Sequence, residues 1–126
     1  PKDVCFSIFK NTFNDSGMDW AYDQNDIATY YNIYSEMIKF WNKIIPNFIV
    51  NLDYDLLIIN PESEIKNLIS NCELNWDDNC LNHHKNKNII NTTSNVQVRK
   101  KIYTSSKNSY LNYESHLSKM FDDLKF

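Results

Sequence analysis

The segment from Ile27 to Ile45 constrains the fold of this chain most, because its apolar side chains recur at intervals of three and four residues. The recurring residues are Ile27, Tyr30, Tyr31, Tyr34, Met37, Ile38, Trp41 and Ile45. Asn25 or Asp26 stands where a helix cap is expected, and Pro46 ends the pattern. The segment predicts a long helix whose aromatic stripe lies in the core.

One main buried strand is predicted among further helices. Residues 48–54 form a largely apolar run that follows Pro46 and precedes a helical pattern, as strands of parallel sheets do. Pro61 at a first-turn position and Glu62 beside the positive helix end predict the next helix. Helices are also expected near residues 2–12, 77–84 and 109–125, so the chain is predicted to be mostly helical.

Composition excludes several classes of protein. With 126 residues, 42% hydrophobic content and a net charge of −3, the chain is long enough for one core and is not disordered. No apolar run approaches the roughly 20 residues that span a bilayer, so no membrane segment is predicted. The mild negative charge argues against a nucleic-acid binder, which usually carries a basic patch.

The cysteines favour a reducing compartment and no metal site. Cys5, Cys72 and Cys80 are an odd number, which argues against a disulfide framework and favours the cytoplasm. Cys72, Cys80, His83 and His84 match no spacing typical of structural zinc. We therefore predict that the chain binds no metal.

Two early segments resemble the same protein family. Residues 1–7, PKDVCFS, resemble the phrase Arg-x-Pro-Lys/Arg-Asp-x-x-x-Ser of sulfotransferases, which move a sulfuryl group from 3′-phosphoadenosine 5′-phosphosulfate (PAPS) to an acceptor. Residues 51–62, NLDYDLLIINPE, are similar to the family's strand followed by Tyr-Glu-x-Leu and Pro-Glu. The spacing between Ser7 and Tyr54 also resembles that of tyrosylprotein sulfotransferases and their bacterial relatives.

Two later segments extend the resemblance. Residues 73–84, ELNWDDNCLNHH, resemble the family phrase Leu-x-Trp-x-x-x-Cys-Leu, for which we expect a packing role. Residues 92–99, TTSNVQVR, look like Thr-x-Ser-x-x-Gln-Val-Arg, a loop that lies over the nucleotide in the family.

The resemblance assigns roles to particular residues. Ser7 is expected to bind the 3′-phosphate, and Tyr54 to contact the nucleotide. Ser94 is the expected catalytic residue, a donor to charge that builds on the leaving oxygen. The cofactor-binding residues implied are Ser7, Tyr54, Ser94, Gln97, Arg99 and Lys100. A physical basis exists for Ser7, because unpaired amides in the first turn of a helix attract anions, and for Arg99, whose planar fork suits phosphate.

The resemblance also implies a larger parent. Its fold is expected to be the α/β P-loop type of sulfotransferases, and residues 1–126 are expected to be the C-terminal part of one such domain. The chain opens in mid-motif at Pro1, so the P-loop and the usual base are expected upstream. The expected partners are PAPS, with adenosine 3′,5′-bisphosphate as product, and a hydroxyl or amine acceptor, without metal, in a bacterial cytoplasm.

Departures from the family phrases keep alternatives open. Asn11 stands where some relatives carry Arg, and Ser109 where many carry Lys or Arg. These departures favour, as one alternative, a binding or scaffolding module that has lost its chemistry. A P-loop kinase-like enzyme is another, although it predicts Walker-A and magnesium-binding motifs upstream.

Overall fold

Helices and their connections make up the part of the chain that the structure describes. The computed structural model describes residues 1–14, 16–86, 88, 96–103 and 107–125, with the side chain of Gln97 left out. The α-helices are α1 (Lys2–Lys10), α2 (Gln24–Ile44), α3 (Tyr54–Ile59), α4 (Pro61–Asn71) and α5 (Ser118–Asp122). Turns of 3₁₀ helix occur at Asp19–Tyr22, Asp78–Lys85, Gln97–Arg99 and Ser109–His116. Among these described helices, none has the length and apolar content needed to cross a membrane.

The chain divides into two compact units. The first comprises Pro1–Ile49 with Lys107–Phe126, and the second comprises Val50–Ser106. In the first unit, α1, α2 and α5 enclose the main core. Its buried residues are Cys5, Phe6, Ile27, Ala28, Leu117, Met120, Phe121 and Leu124. Residues from both ends of the chain therefore form one core.

A side-chain cap determines where α2 begins. Oδ1 of Asp23 accepts hydrogen bonds from the backbone amides of Asn25 (2.7 Å) and Asp26 (3.2 Å), which lack partners within the helix. Both bonds lower the pKa of Asp23, and the bond from the Asp26 amide has the larger effect. The cap is thus two or three residues earlier than the sequence predicts, while Pro46 follows the end of the helix as expected.

Two side-chain amides attach α2 to the last residues of the chain. Gln24 donates to the carbonyl of His116 (3.1 Å) and accepts from the amide of Met120 (3.3 Å). Asn32 lies two turns later on α2. Its side chain donates to the carbonyl of Asp123 (2.8 Å) and accepts from the amide of Lys125 (2.9 Å). The helix face that carries Gln24 and Asn32, together with Ile27 and Ala28, is therefore the packed face.

The predicted burial of the aromatic stripe on α2 is wrong for most of its residues. Ile27 is buried, and Tyr31 and Ile38 are half-buried. The exposed members are Tyr30, Tyr34, Met37, Trp41 and Ile45. The reason is that α2 packs through the neighbouring face, where the two amides satisfy backbone groups of the C-terminal segment.

The predicted strand at residues 48–54 is also wrong. The described residues contain no β-strand, and Phe48 is 75% exposed. Oδ1 of Asp53 accepts from the amides of Asp55 (2.8 Å) and Leu56 (3.1 Å), so the chain turns into α3 at Tyr54. A buried strand also needs a neighbouring strand to pair its backbone groups, and the described residues supply none.

The second unit is built on α3, α4 and the turn that follows. Pro61 is the first residue of α4, as predicted. Nζ of Lys66 pairs with Glu62 one turn earlier (2.6 Å) and lies 5.3 Å from the centre of the Trp76 ring. The indole Nε1 of Trp76 donates to Oδ1 of Asp78 (2.8 Å). Trp76 thus contacts the preceding helix, but its predicted burial there is wrong, because the side chain is 36% exposed.

The helix predicted for residues 109–125 is divided. A 3₁₀ helix spans Ser109–His116, and α5 spans Ser118–Asp122. Leu117 separates them with non-helical angles (φ −113°, ψ 5°), and its side chain enters the core.

Candidate functional site

Ser7 lies in the middle of α1 with an exposed side chain. Because the helix begins at Lys2, the unpaired amides of its first turn lie a full turn before Ser7, and the argument from the helix N-terminus does not apply to this residue. Lys10 lies three residues later on the same face and is also exposed. Ser7 and Lys10 therefore present a hydroxyl and an ammonium group near the C-terminal end of α1.

Asn11 has a local structural role. Its side-chain Nδ2 donates to the carbonyl of Ser7 (2.6 Å) and so satisfies one of the last carbonyls of α1. A neutral amide at this position closes the helix, where some relatives place a cation.

Tyr54 is the first residue of α3 and is 56% exposed. The sequence places it at the end of a strand, whereas in the structure it follows the capping residue Asp53. Exposure is the property that its expected role requires, because both the ring and the hydroxyl can reach a ligand.

Two hydrogen bonds hold the segment that carries Arg99 and Lys100. Nη2 of Arg99, whose side chain is half-buried, donates to the carbonyl of Asn88. Nε2 of His83 lies 3.2 Å from the carbonyl oxygen of Lys100. A carbonyl only accepts, so this geometry assigns the proton of neutral His83 to Nε2. Arg99 thus anchors the backbone as well as carrying charge.

The surroundings of His84 disfavour a positive charge on its ring. Burial lowers the pKa of His84, and the electrostatic influence of the nearby His83, Lys101 and Lys85 lowers it further. Nδ1 of His84 is buried without a hydrogen-bond partner among the described residues. Positive charge that disfavours a protonated imidazole favours a bound anion by the same physics.

The structure brings together only some of the predicted site residues. Ser94 lies outside the described residues. Gln97 begins the 3₁₀ turn that ends at Arg99, and its side chain is also outside them. The side chain of Arg99 bonds to the carbonyl of Asn88, and the carbonyl of Lys100 bonds to His83. Neither hydrogen bond involves Tyr54. Ser7 belongs to the first unit.

The contact between His83 and the segment that carries Arg99 and Lys100 was not predicted from the sequence. The phrase that contains His83, ELNWDDNCLNHH, predicts a packing role, yet His83 contacts the backbone of Lys100 across 17 positions. No spacing in the sequence indicates that bond, because it depends on how two turns pack.

The described residues contain no candidate metal centre. Within those ranges, no three His, Cys, Asp or Glu side chains lie close enough together to hold a metal ion. Cys72 is exposed, Cys80 is half-buried, and both are free thiols.

Each unit, taken by itself, exposes groups that can bind an anion. Ser7 and Tyr54 offer hydroxyls, and Lys100 offers an exposed ammonium group. The guanidinium of Arg99 has five N–H donors, of which the bond to Asn88 uses one. Such hydroxyls and cations are the groups that bind phosphates in proteins.

Comparison with known proteins assigns the chain to a family. The model of the sulfotransferase family matches residues 1–78, a range that includes Ser7 and Tyr54. A protein of Aquifex aeolicus (strain VF5), described as uncharacterized, is 34% identical over 125 residues; the match covers 98% of this chain and 16% of that relative. The chain therefore spans about a sixth of the relative's length. No solved structure is significantly similar to the chain. On the strength of the family match, this chain belongs to the sulfotransferase family.

Proposed function

We propose that the chain is the C-terminal part of a sulfotransferase domain that uses PAPS to sulfate a hydroxyl or amine acceptor in a bacterial cytoplasm. The observation that carries the proposal is that the family match contains both Ser7 and Tyr54, and both are exposed on helices. When bound, PAPS supplies the sulfuryl group and a phosphate leaving group.

In this proposal the first unit binds the 3′-phosphate. The hydroxyl of Ser7 donates to a phosphate oxygen, and Lys10 adds positive charge from the same helix face. A hydrogen bond to a charged group of this kind contributes about 1.5–3 kcal/mol.

The other nucleotide contacts proposed are Tyr54, Arg99, Lys100, Ser94 and Gln97. Tyr54 offers its ring to adenine or its hydroxyl to phosphate. Arg99 and Lys100 contact phosphate, and Arg99 does so while its bond to the Asn88 carbonyl orients the guanidinium. Ser94 donates to the leaving oxygen as charge builds there, and Gln97 is the remaining cofactor contact that the resemblance implies.

The phosphate-gripping loop of the domain is proposed to lie elsewhere in the protein. Loops that cradle phosphate with backbone amides are rich in glycine. This chain has a single glycine, Gly17. Its relative is far longer than the matched segment, which leaves room for an α/β P-loop body and for the catalytic base.

A binding or scaffolding module is the second candidate. The observation that favours it is Asn11, whose neutral side chain caps its helix at the position where the family resemblance leads us to expect Arg in some relatives. Nucleotide binding without turnover would distinguish such a module from an enzyme.

Nucleotide titration tests the binding roles. In the full-length product of the gene, Ser7→Ala is expected to weaken binding of adenosine 3′,5′-bisphosphate by about 10- to 100-fold, because it removes one donor to a phosphate. Tyr54→Ala is expected to weaken binding by about 5- to 100-fold through lost stacking. Isothermal titration calorimetry measures both effects.

The controls for that titration are a second nucleotide and a second serine. Adenosine 5′-monophosphate lacks the 3′-phosphate, so Ser7→Ala should leave its affinity unchanged. Ser70→Ala removes another exposed helical hydroxyl, from α4, and should leave both affinities unchanged. Wild-type affinity in the Ser7 and Tyr54 variants would reduce both residues to structural roles.

A further inference from the structure

A closed ring of hydrogen bonds in the second unit contains both His83 and Arg99. The amide of Asn86 donates to the carbonyl of His83 (3.0 Å), and Oδ1 of Asn86 accepts from the amide of Asn88 (2.9 Å). The carbonyl of Asn88 accepts from Nη2 of Arg99. Lys100, the next residue, closes this hydrogen-bond ring, because its carbonyl oxygen lies 3.2 Å from Nε2 of His83.

The hydrogen-bond ring restrains Arg99 at two points. The bond to Asn88 uses one of the five N–H donors of the guanidinium, and on its own it leaves the residue free to pivot about that carbonyl. The bond from His83 holds the backbone of the adjoining residue, from which the Arg99 side chain extends. Because a guanidinium is planar, restraining one Nη group and the backbone also restricts the directions of the other donors.

The charges beside Arg99 indicate what the oriented guanidinium binds. Arg99 is the only arginine in the chain, and its side chain is half-buried. Lys100 and Lys101 follow it directly, and both side chains are exposed. Consecutive cations repel one another, and an anion bound among them offsets that repulsion. A side chain that is already oriented also loses less conformational freedom on binding, so the affinity for the anion rises.

We propose that His83 is a positioning residue for Arg99: its bond to the carbonyl of Lys100 completes the hydrogen-bond ring that orients the guanidinium for an anionic ligand. That the anion is a phosphate of PAPS rests on the proposed function. The bond requires a donor at Nε2, which an imidazole provides in its neutral Nε2–H form and in its protonated form. The role is therefore one of geometry, which another N–H donor at this position can supply.

Arginine-selective labelling of the full-length gene product without nucleotide tests the positioning. Phenylglyoxal modifies guanidinium groups, and mass spectrometry of the peptide that contains Arg99 gives the rate at that residue. His83→Leu removes the donor and is expected to raise this rate about threefold or more, because the guanidinium is released more often. His83→Gln keeps an N–H donor and is expected to bring the rate to within about twofold of the wild-type rate.

Nucleotide titration measures what the positioning contributes to binding. His83→Leu is expected to weaken the affinity for adenosine 3′,5′-bisphosphate by about 3- to 10-fold, since the Arg99 side chain must then be ordered on binding. In a background with Arg99→Ala and Lys100→Ala, His83→Leu is expected to change the affinity by less than about twofold, because the oriented groups are gone. A general structural role weakens binding equally in both backgrounds.

His116→Leu is the matched control. His116 is an exposed histidine of the first unit, where its backbone carbonyl accepts from Gln24. The substitution is expected to leave both Arg99 labelling and nucleotide affinity unchanged. If His83→Leu does not fold, Asn86→Ala opens the hydrogen-bond ring at the bond to Asn88 and is expected to raise Arg99 labelling in the same way.

Each outcome supports or overturns the proposal. Faster Arg99 labelling in His83→Leu, with rescue in His83→Gln, supports it. Unchanged labelling in His83→Leu overturns it, as does a loss of affinity that is equal with and without the two cations. Faster labelling in His83→Leu together with wild-type nucleotide affinity in Arg99→Ala supports the positioning and counts against the proposed function alone.

Discussion

Ser94→Ala in the full-length gene product is expected to lower kcat for sulfuryl transfer by about 10- to 1000-fold and to leave nucleotide affinity nearly unchanged. The reason is that a donor to charge that develops only as the sulfur–oxygen bond breaks stabilises the transition state and not the bound substrate. Steady-state kinetics gives kcat, and titration with adenosine 3′,5′-bisphosphate gives affinity.

Arg99 provides the matched contrast. A cation paired with a phosphate that is already present in the ground state stabilises both states, so Arg99→Ala is expected mainly to weaken nucleotide binding. Added salt should weaken wild-type binding in the same direction. Arg99→Lys keeps the charge and loses the planar fork that also reaches Asn88, so it should restore binding only in part. The two assigned roles would be reversed if Ser94→Ala weakened nucleotide binding while Arg99→Ala lowered only kcat.

Met120→Ala is expected to lower the free energy of unfolding of the 126-residue chain by about 2–5 kcal/mol, because it leaves a cavity in the core. Met120 is fully buried between α5 and α2, whereas Met37 is 49% exposed on α2. Met37→Ala removes the same atoms from an exposed site and is expected to change stability by about 0.5 kcal/mol or less. Urea unfolding followed by circular dichroism measures both variants.

The comparison of these two methionines also reports on the exposure of Met37. Equal losses in the two variants would mean that the 126-residue chain already buries Met37. Repeating the measurement at several protein concentrations shows whether self-association is the cause.

The sequence predicts helix ends well where one residue acts locally. Pro61 begins α4, and Pro46 lies just beyond the end of α2. The strand at residues 48–54 fails because an apolar run does not reveal whether a neighbouring strand exists to pair with it. Asp53, which caps α3 and turns the chain at Tyr54, is the local signal against a strand there.

Periodicity predicts the helix but not the packed face. Apolar spacing on α2 identifies the stripe that contains Met37, yet the face that packs within this chain carries Gln24 and Asn32. These amides pair with backbone groups of residues about ninety positions away, so no local pattern contains that information.

The candidate site, too, is predictable from the sequence only in part. The family phrases select Ser7 and Tyr54 as candidate contacts, and the family match over residues 1–78 includes both positions. The bond from His83 to Lys100 joins two turns that no phrase connects, so it became visible only in three dimensions.

Formation of adenosine 3′,5′-bisphosphate from PAPS is the most direct test of the proposed sulfotransferase activity. The full-length gene product is incubated with PAPS and pools of hydroxyl- and amine-bearing acceptors, and the nucleotide product is quantified by chromatography. We predict product that depends on an added acceptor, with none formed by the 126-residue chain alone. PAPS that is bound by the full-length protein and never consumed with any pool would contradict the enzymatic account and identify a binding module.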